Sequence, residues 1–241
     1  MNPPLPNVAL NASFDELSSS VPATIGIAIA RPGAAEAYSL GRWSTGVAWS
    51  TIKVPLAIAA LRRDRTHAEP LVVKAITESD NPASEALWSL LGEPAVAARD
   101  VQTVIRESGD PATVVEARRI RVGFTAFGQT QWTLSRQAQF AANIADIPGS
   151  AIVIDLMCQL TADQRWGLAT KGIATKGGWG PGLAGDYLVR QFAIVPTESA
   201  QLGVALAVQA QAFQSGVEVL TAMADWLVGH LPDICDRISL L

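Results

Sequence analysis

"VAWSTIKVPLAIAALRR" (residues 47–63) governs how the rest of the chain is read. It sets Ser50 and Lys53 three residues apart and follows them with an apolar run, Val54 to Leu61, unbroken until Arg62. The run is apolar on all sides, which predicts a helix buried inside the protein rather than lying on it. Pro55 falls in the first turn, where proline is tolerated. The chain has only four lysines, and one at the mouth of a buried helix is costly unless something uses it. Residues i and i+3 of a helix share a face, with Cβ atoms about 5–6 Å apart. The Lys53 amine can therefore reach the Ser50 hydroxyl. Burial disfavours the ammonium and lowers its pKa, so the amine can act as a base. A serine at a helix N-terminus also has backbone N–H groups aimed at any developing oxyanion. Together these make a serine nucleophilic without histidine.

The bulk properties narrow the class. The chain has 241 residues, 49% of them hydrophobic and 17% charged, with a net charge of −4. That suits one large domain or two interleaved lobes with a substantial core, and excludes a disordered chain. "LRRDR" (61–65) and "ARRIR" (117–121) are the basic stretches; they are too short to suggest nucleic acid and read as solvated faces. No apolar stretch approaches the roughly 18 residues of a membrane span. "MNPPLPNVALNASFDEL" (1–17) has no basic residue, and none comes before Arg31. As written it is not a signal peptide, which implies a cytoplasmic protein, or an extracytoplasmic one if a signal has been removed. Cys158 and Cys235 have no CxxC partner and read as buried free thiols, a single disulfide being the alternative. His67 and His230 sit in no metal motif, and surface roles are expected for both. Neither a metal nor a cofactor is expected.

Strand signals lie at both ends of the chain and helix signals between them. "ATIGIAIARPG" (23–33) is β-branched and closed by a Pro-Gly turn, with "EAYSLG" (36–41) as its hairpin partner. Residues 15–20 read as the end of a short helix. Helical periodicity dominates 70–147, with Gly92 and Gly109 as stops and Thr133 or Ser135 as a cap, and 151–160 reads as helix, with a strand as the alternative. "RWGLATKGIATKGGWGPGLAGDY" (165–187) is glycine-rich and reads as loop with short β segments. "LVRQFAIV" (188–195) and "QLGVALAVQA" (201–210) flank the turn "PTES" as a hairpin, and an amphipathic helix follows from Gly216. The predicted class is α/β (α+β): an antiparallel sheet built from both chain ends, covered by terminal helices, with an inserted helical lobe. The α/β lobe would span about 1–49 and 150–241, and the helical lobe about 50–149.

Two further stretches join Ser50-x-x-Lys53. Ser79-Asp80-Asn81 stands immediately before a helix in "ESDNPASEALWSLLG" (78–92), and Lys176-Gly177-Gly178 opens "KGGWGPG" (176–182). Ser-x-x-Lys, Ser-Asp-Asn and Lys-Thr/Ser-Gly, in that order, are the motifs of serine β-lactamases and penicillin-binding proteins. The sequence resembles that superfamily, and class A β-lactamases most closely. "RWGL" (165–168) and "VRQFAIV" (189–195) resemble the family's approach to its third motif and the strand after it, so the resemblance covers nearly the whole chain.

The resemblance implies a serine hydrolase. Ser50 would be acylated, Lys53 would take or relay its proton, and Ser79 would pass a proton to the leaving group. Asn81 would hold the substrate amide. Lys176 would attract a substrate carboxylate and tune Ser79. The backbone N–H groups of Ser50 and Trp179 would form the oxyanion hole beside Gly178, and Asp80 would turn inward to brace its loop. The implied substrate is a β-lactam, with a peptidoglycan-like peptide or small ester as the alternative; a binding protein without turnover is the non-enzyme reading. Three departures stand out. Only 25 residues separate Lys53 from Ser79, about half the family's usual spacing, which implies a reduced helical lobe and a more open cleft. Gly177 replaces the hydroxyl residue of the third motif. In 110–135, where the family's deacylating glutamate would lie, Glu116 is the only glutamate; its neighbours do not fit the family pattern, and it reads as a surface partner of Arg118–Arg121. Lys171 lies too far from 189–195 for the third-motif role. Of Trp43, Trp49, Trp166 and Trp179, only Trp179 is expected at the site rather than in the core.

Overall fold

The structure, a computed structural model, describes residues 6–198 and 201–239. Helix α1 (Pro6–Ser20) precedes the hairpin of β1 (Thr24–Ala30) and β2 (Tyr38–Gly41). A short strand, β3 (Thr45–Val47), leads into a 3-10 turn over Trp49–Ile52 and then α2 (Lys53–Arg63). The helices α3 (Arg65–Thr77), α4 (Asn81–Leu90) and α5 (Pro94–Glu107) follow. After an irregular stretch come β4 (Gln131–Thr133), α6 (Leu134–Asn143) and α7 (Ala151–Met157). The chain returns through β5 (Ala174–Pro181), β6 (Tyr187–Pro196) and β7 (Gln201–Ala210), and ends in α8 (Phe213–Gly229) and α9 (Leu231–Ile238).

The five-stranded sheet has the order β2-β1-β7-β6-β5, every neighbouring pair antiparallel. Strand β1 closes on β7 from Thr24 opposite Gln209 to Ala30 opposite Gly203, so both chain ends build one sheet, as the strand signals predict. The period of two along "TIGIAIA" sorts the faces. Ile25, Ile27 and Ile29 pack with Phe14 of α1 and Leu220, Met223 and Leu227 of α8. Ala28 and Ala30 face the other way, into a core shared with Ala138 and Ala141 of α6 and Ile58 of α2. Helix α2 is buried from Lys53 through Leu61 and packs among α3, α4 and α5, which is why its sequence has no polar face. A single residue, Asp64, separates α2 from α3; this is how the short Lys53–Ser79 interval is accommodated.

Several expectations change. The glycine-rich run is not a loop: β5 is a full strand, paired with β6 from Ala174 opposite Ile194 to Pro181 opposite Tyr187. Its glycines meet neighbours on both faces of the strand, as described below. The β6–β7 hairpin forms in register, while Ser199 of its turn and residues 1–5 lie outside the described residues. Helix α9 is a further element beyond the amphipathic helix read near the C-terminus. The two cysteines are free, but neither is buried: Cys158 is exposed and Cys235 half-buried. Among the described residues no helix is long and apolar enough to cross a membrane.

Candidate active site

Three chain segments converge on one cleft: the turn before α2, the turn between α3 and α4, and strand β5. Two of them carry backbone strain. Trp49 (φ 50°) immediately precedes Ser50, and Ser79 (φ 57°) opens the second motif. They are the only non-glycine residues with positive φ among those described. Such residues cost about 1–3 kcal/mol each and persist only where the surroundings enforce them. Asp80 braces its turn as expected: its carboxylate accepts from Ala83 N at 2.6 Å and caps α4. The cavity between the segments measures about 500 Å³, and Trp49, Ser50, Ser79, Asn81, Trp179 and Tyr187 are among its lining residues.

The polar network centres on Ser79. Lys176 Nζ donates to Ser79 Oγ at 2.8 Å and to the Gly177 carbonyl at 3.1 Å. Lys53 Nζ donates to the Ser79 carbonyl, to Asn81 Oδ1 at 2.8 Å and to Ser79 Oγ at 3.5 Å. The Ser79 hydroxyl therefore stands between two buried lysines. A hydroxyl that accepts from both keeps its own proton free. Among the described residues no hydrogen bond joins Lys53 to Ser50 Oγ; the amine is turned toward Ser79 and Asn81 instead of making the direct contact expected from the spacing. Both ammonium groups are destabilised. Desolvation lowers the Lys53 pKa to about 7, against a smaller opposing effect of Asp80. Desolvation, then the charge of Lys53, holds Lys176 well below the usual lysine range. Lys176 is only 1% exposed, not the open cation its glycine-rich surroundings suggest.

Strand β5 is pressed against the nucleophile turn. A Cβ at Gly178 would lie 2.8 Å from Ser50 N and 2.9 Å from Ala48 O and Thr51 N, all backbone atoms, so only glycine allows this approach. On the opposite face a Cβ at Gly177 would lie 2.4 Å from the Trp166 ring. Trp166 occupies the space a hydroxyl side chain would need. Beneath the turn, fully buried Arg190 donates to the carbonyls of Gly46, Val47 and Trp132 and to Gln137 Oε1. Desolvation brings its pKa down to about 9. Arg190 pins the β3–β4 pair just ahead of Ser50, a role the sequence does not reveal.

The irregular stretch after α5 forms the far wall. Phe124 meets Trp49 edge-on at 5.2 Å. Arg121 lies over Phe124 at 4.6 Å and Trp49 at 5.5 Å, and donates to the Pro181 carbonyl at 2.9 Å. It is a strap across the cleft wall, not the solvated residue read from "ARRIR". Glu116 accepts from Arg118 N at 2.8 Å, and it is not among the residues lining the cavity. The carboxylate that does line the cavity is Glu85, ion-paired with Arg119 at 2.8 Å. Sequence reasoning passed over Glu85, although it stands four residues after Asn81 and hence on the same face of α4. Trp43 and Trp166 are core residues, whereas Trp49 is both buried and part of the cavity wall. Lys171 is exposed and pairs with Asp225. His67 pairs with Asp64 on the surface. His230 stacks on Trp226 and contacts Ser13 Oγ and the Trp226 carbonyl.

Sequence comparison matches the chain to no protein-family model and to no curated protein. Comparison of folds does find relatives. A class A β-lactamase from Bacteroides cellulosilyticus DSM 14838 is similar at a TM-score of 0.75 and 14% identity, over 95% of this chain and 99% of that one. A class A β-lactamase from Mycobacterium abscessus gives 0.67 and 16%, over 92% and 99%. A β-lactamase from Xanthomonas campestris pv. campestris gives 0.67 and 19%, over 92% and 97%. The chain has the serine β-lactamase-like fold.

Proposed function

We propose that the protein is a serine hydrolase that works through a Ser50 acyl-enzyme and releases the acyl group slowly. The observation that carries this reading is the Ser79 hydroxyl held between Lys53 and Lys176 in the cavity that Ser50 lines. Ser50 Oγ attacks the acyl carbon as its proton passes to neutral Lys53, directly or through Ser79. The N–H groups of Ser50 and Trp179 hold the oxyanion, with Gly178 allowing their approach. When the tetrahedral adduct collapses, the bond to the leaving group breaks and that group takes the Ser79 proton, which the lysines then restore. Asn81 spends its carbonyl on Lys53 and keeps its amide N–H for the substrate. Release of the acyl group needs an activated water, and the one carboxylate among the described cavity-lining residues, Glu85, is engaged by Arg119. β-Lactams, on which the fold relatives act by name, and small esters or peptides are the candidate acyl donors.

A fluorophosphonate probe tests the nucleophile. Intact-mass spectrometry should find one adduct per chain on Ser50 and none on Ser50→Ala. Undiminished labelling of the variant, or no labelling of the folded wild type, would refute the assignment.

A further inference from the structure

The charges around the cleft bear on what enters it. Besides Arg190 beneath the turn, four cationic side chains stand around the cleft, and each already has a protein partner. Lys176 is buried, and its amine is directed at Ser79 Oγ and the Gly177 carbonyl. Lys53 is buried against Ser79 and Asn81. Arg121 is spent on the Pro181 carbonyl and two aromatic rings. Arg119 lines the cavity with its charge balanced by Glu85 and a further N–H on the Phe124 carbonyl. Gly177 offers no hydroxyl, and Trp166 stands where one would project. The rest of the wall sets the apolar faces of Trp49, Phe124, Trp179, Pro82 and Pro181 beside the hydroxyls of Ser50, Ser79, Thr125 and Tyr187. A cavity of about 500 Å³ lies within the roughly 300–1,000 Å³ typical of small-ligand sites.

We propose that this cleft selects an uncharged acyl donor carrying an aromatic or apolar group, and discriminates against one with a carboxylate beside the scissile bond. The inference rests on the Ser50 acyl-enzyme reading and names its substrate class. A carboxylate drawn into the cleft sheds water and meets cations that each already have a protein partner, with only neutral donors such as the Asn81 amide and the Ser79, Thr125 and Tyr187 hydroxyls left to receive it among the described residues. An uncharged aromatic group loses nothing there and gains edge and face contacts with the ring-lined wall.

The test uses benzylpenicillin and its methyl ester, which present the same acyl group and differ in the carboxylate. Rates of Ser50 acylation are followed by intact-mass spectrometry, with the fluorophosphonate probe as a parallel arm. The ester should acylate at least about tenfold faster, the discrimination expected when a charged group is left unpaired. Glu85→Gln, which frees the Arg119 charge, should speed the free acid and narrow the ester-to-acid rate ratio severalfold. Equal rates, or a faster free acid, would overturn the inference and leave the acyl-enzyme reading standing. Fluorophosphonate labelling without reaction of either penicillin would overturn it too, because the neutral aromatic donor is then refused. Failure of all three probes on folded protein would overturn the acyl-enzyme reading and the inference with it.

Discussion

Lys53→Met removes a charge from the interior while keeping an unbranched chain of similar bulk. The folded-state pKa of Lys53 is about 7, against an ordinary value of 10.5. Each unit of difference corresponds to about 1.4 kcal/mol, so burial of the charged amine costs on the order of 5 kcal/mol at low pH. The sign follows from proton counts. Below pH 7 the amine is charged in both states and the folded state bears the full cost. Between 7 and 10.5 the unfolded chain holds the proton and the folded chain does not, so stability rises with pH. From pH 6 to pH 9 the wild type should gain about 2–3 kcal/mol from this group. Lys53→Met should lack that gain. The hydrogen bonds lost to Ser79 and Asn81 shift the variant by an amount that changes little across the window. Urea denaturation of both proteins at pH 6, 7, 8 and 9 measures the difference directly. The same amine should govern acylation: the wild-type fluorophosphonate rate should climb through pH 7 with one proton lost, and Lys53→Met should lose about 10⁴–10⁶ of it. A wild-type-minus-variant stability difference that stays flat from pH 6 to pH 9 would refute the reasoning.

Two other positions give independent checks. At Ser79, whose φ is 57°, glycine should be more stable than alanine by about 1 kcal/mol, because only alanine bears the left-handed strain; both variants should lose acylation, and equal stabilities in thermal unfolding would contradict the strain assignment. Gly178→Ala should force β5 off the Ser50 turn and slow acylation by about 10²–10³, the loss expected when an oxyanion donor is displaced, and an unchanged rate would show that the turn and strand are not pressed together in solution.

Much of the fold was legible because it follows from local pattern. The all-apolar helix after Lys53, the β-branched run at 24–30 and the alternation in 188–195 and 201–210 are short-range signals that tertiary packing reinforces. Strand β5 was not, since glycine is a poor strand former; its glycines answer to the Ser50 backbone, the Trp49 and Trp166 rings, none of which is adjacent in sequence. The candidate site was half legible. Motif order brings Ser50, Lys53, Ser79 and Lys176 together, but spacing alone cannot say that the Lys53 amine turns to Ser79 or that Lys176 is buried. Glu85 reads as an ordinary exposed helix residue until Arg119 arrives from the following stretch, and Arg121 as one more surface arginine until Trp49 and Phe124 are set beneath it. Arg190 sits in an apolar strand four residues after Asp186; that its two terminal NH groups instead reach three backbone carbonyls and Gln137 is a fact of the folded chain.

The Ser50 acyl-enzyme proposed above should form readily and break down slowly. Incubation with benzylpenicillin methyl ester, followed over time by intact-mass spectrometry and by peptide mapping of the modified residue, tests it most directly. One acyl group per chain should be found, located on Ser50, and it should persist while little hydrolysed product accumulates, because the one carboxylate among the described cavity-lining residues, Glu85, is held by Arg119 and does not supply the roughly 10²–10⁴-fold of general-base catalysis that deacylation needs. Rapid multiple turnover would contradict the slow release and point to Glu85 as the base. An adduct on any residue other than Ser50, or none on the folded protein, would contradict the acyl-enzyme itself.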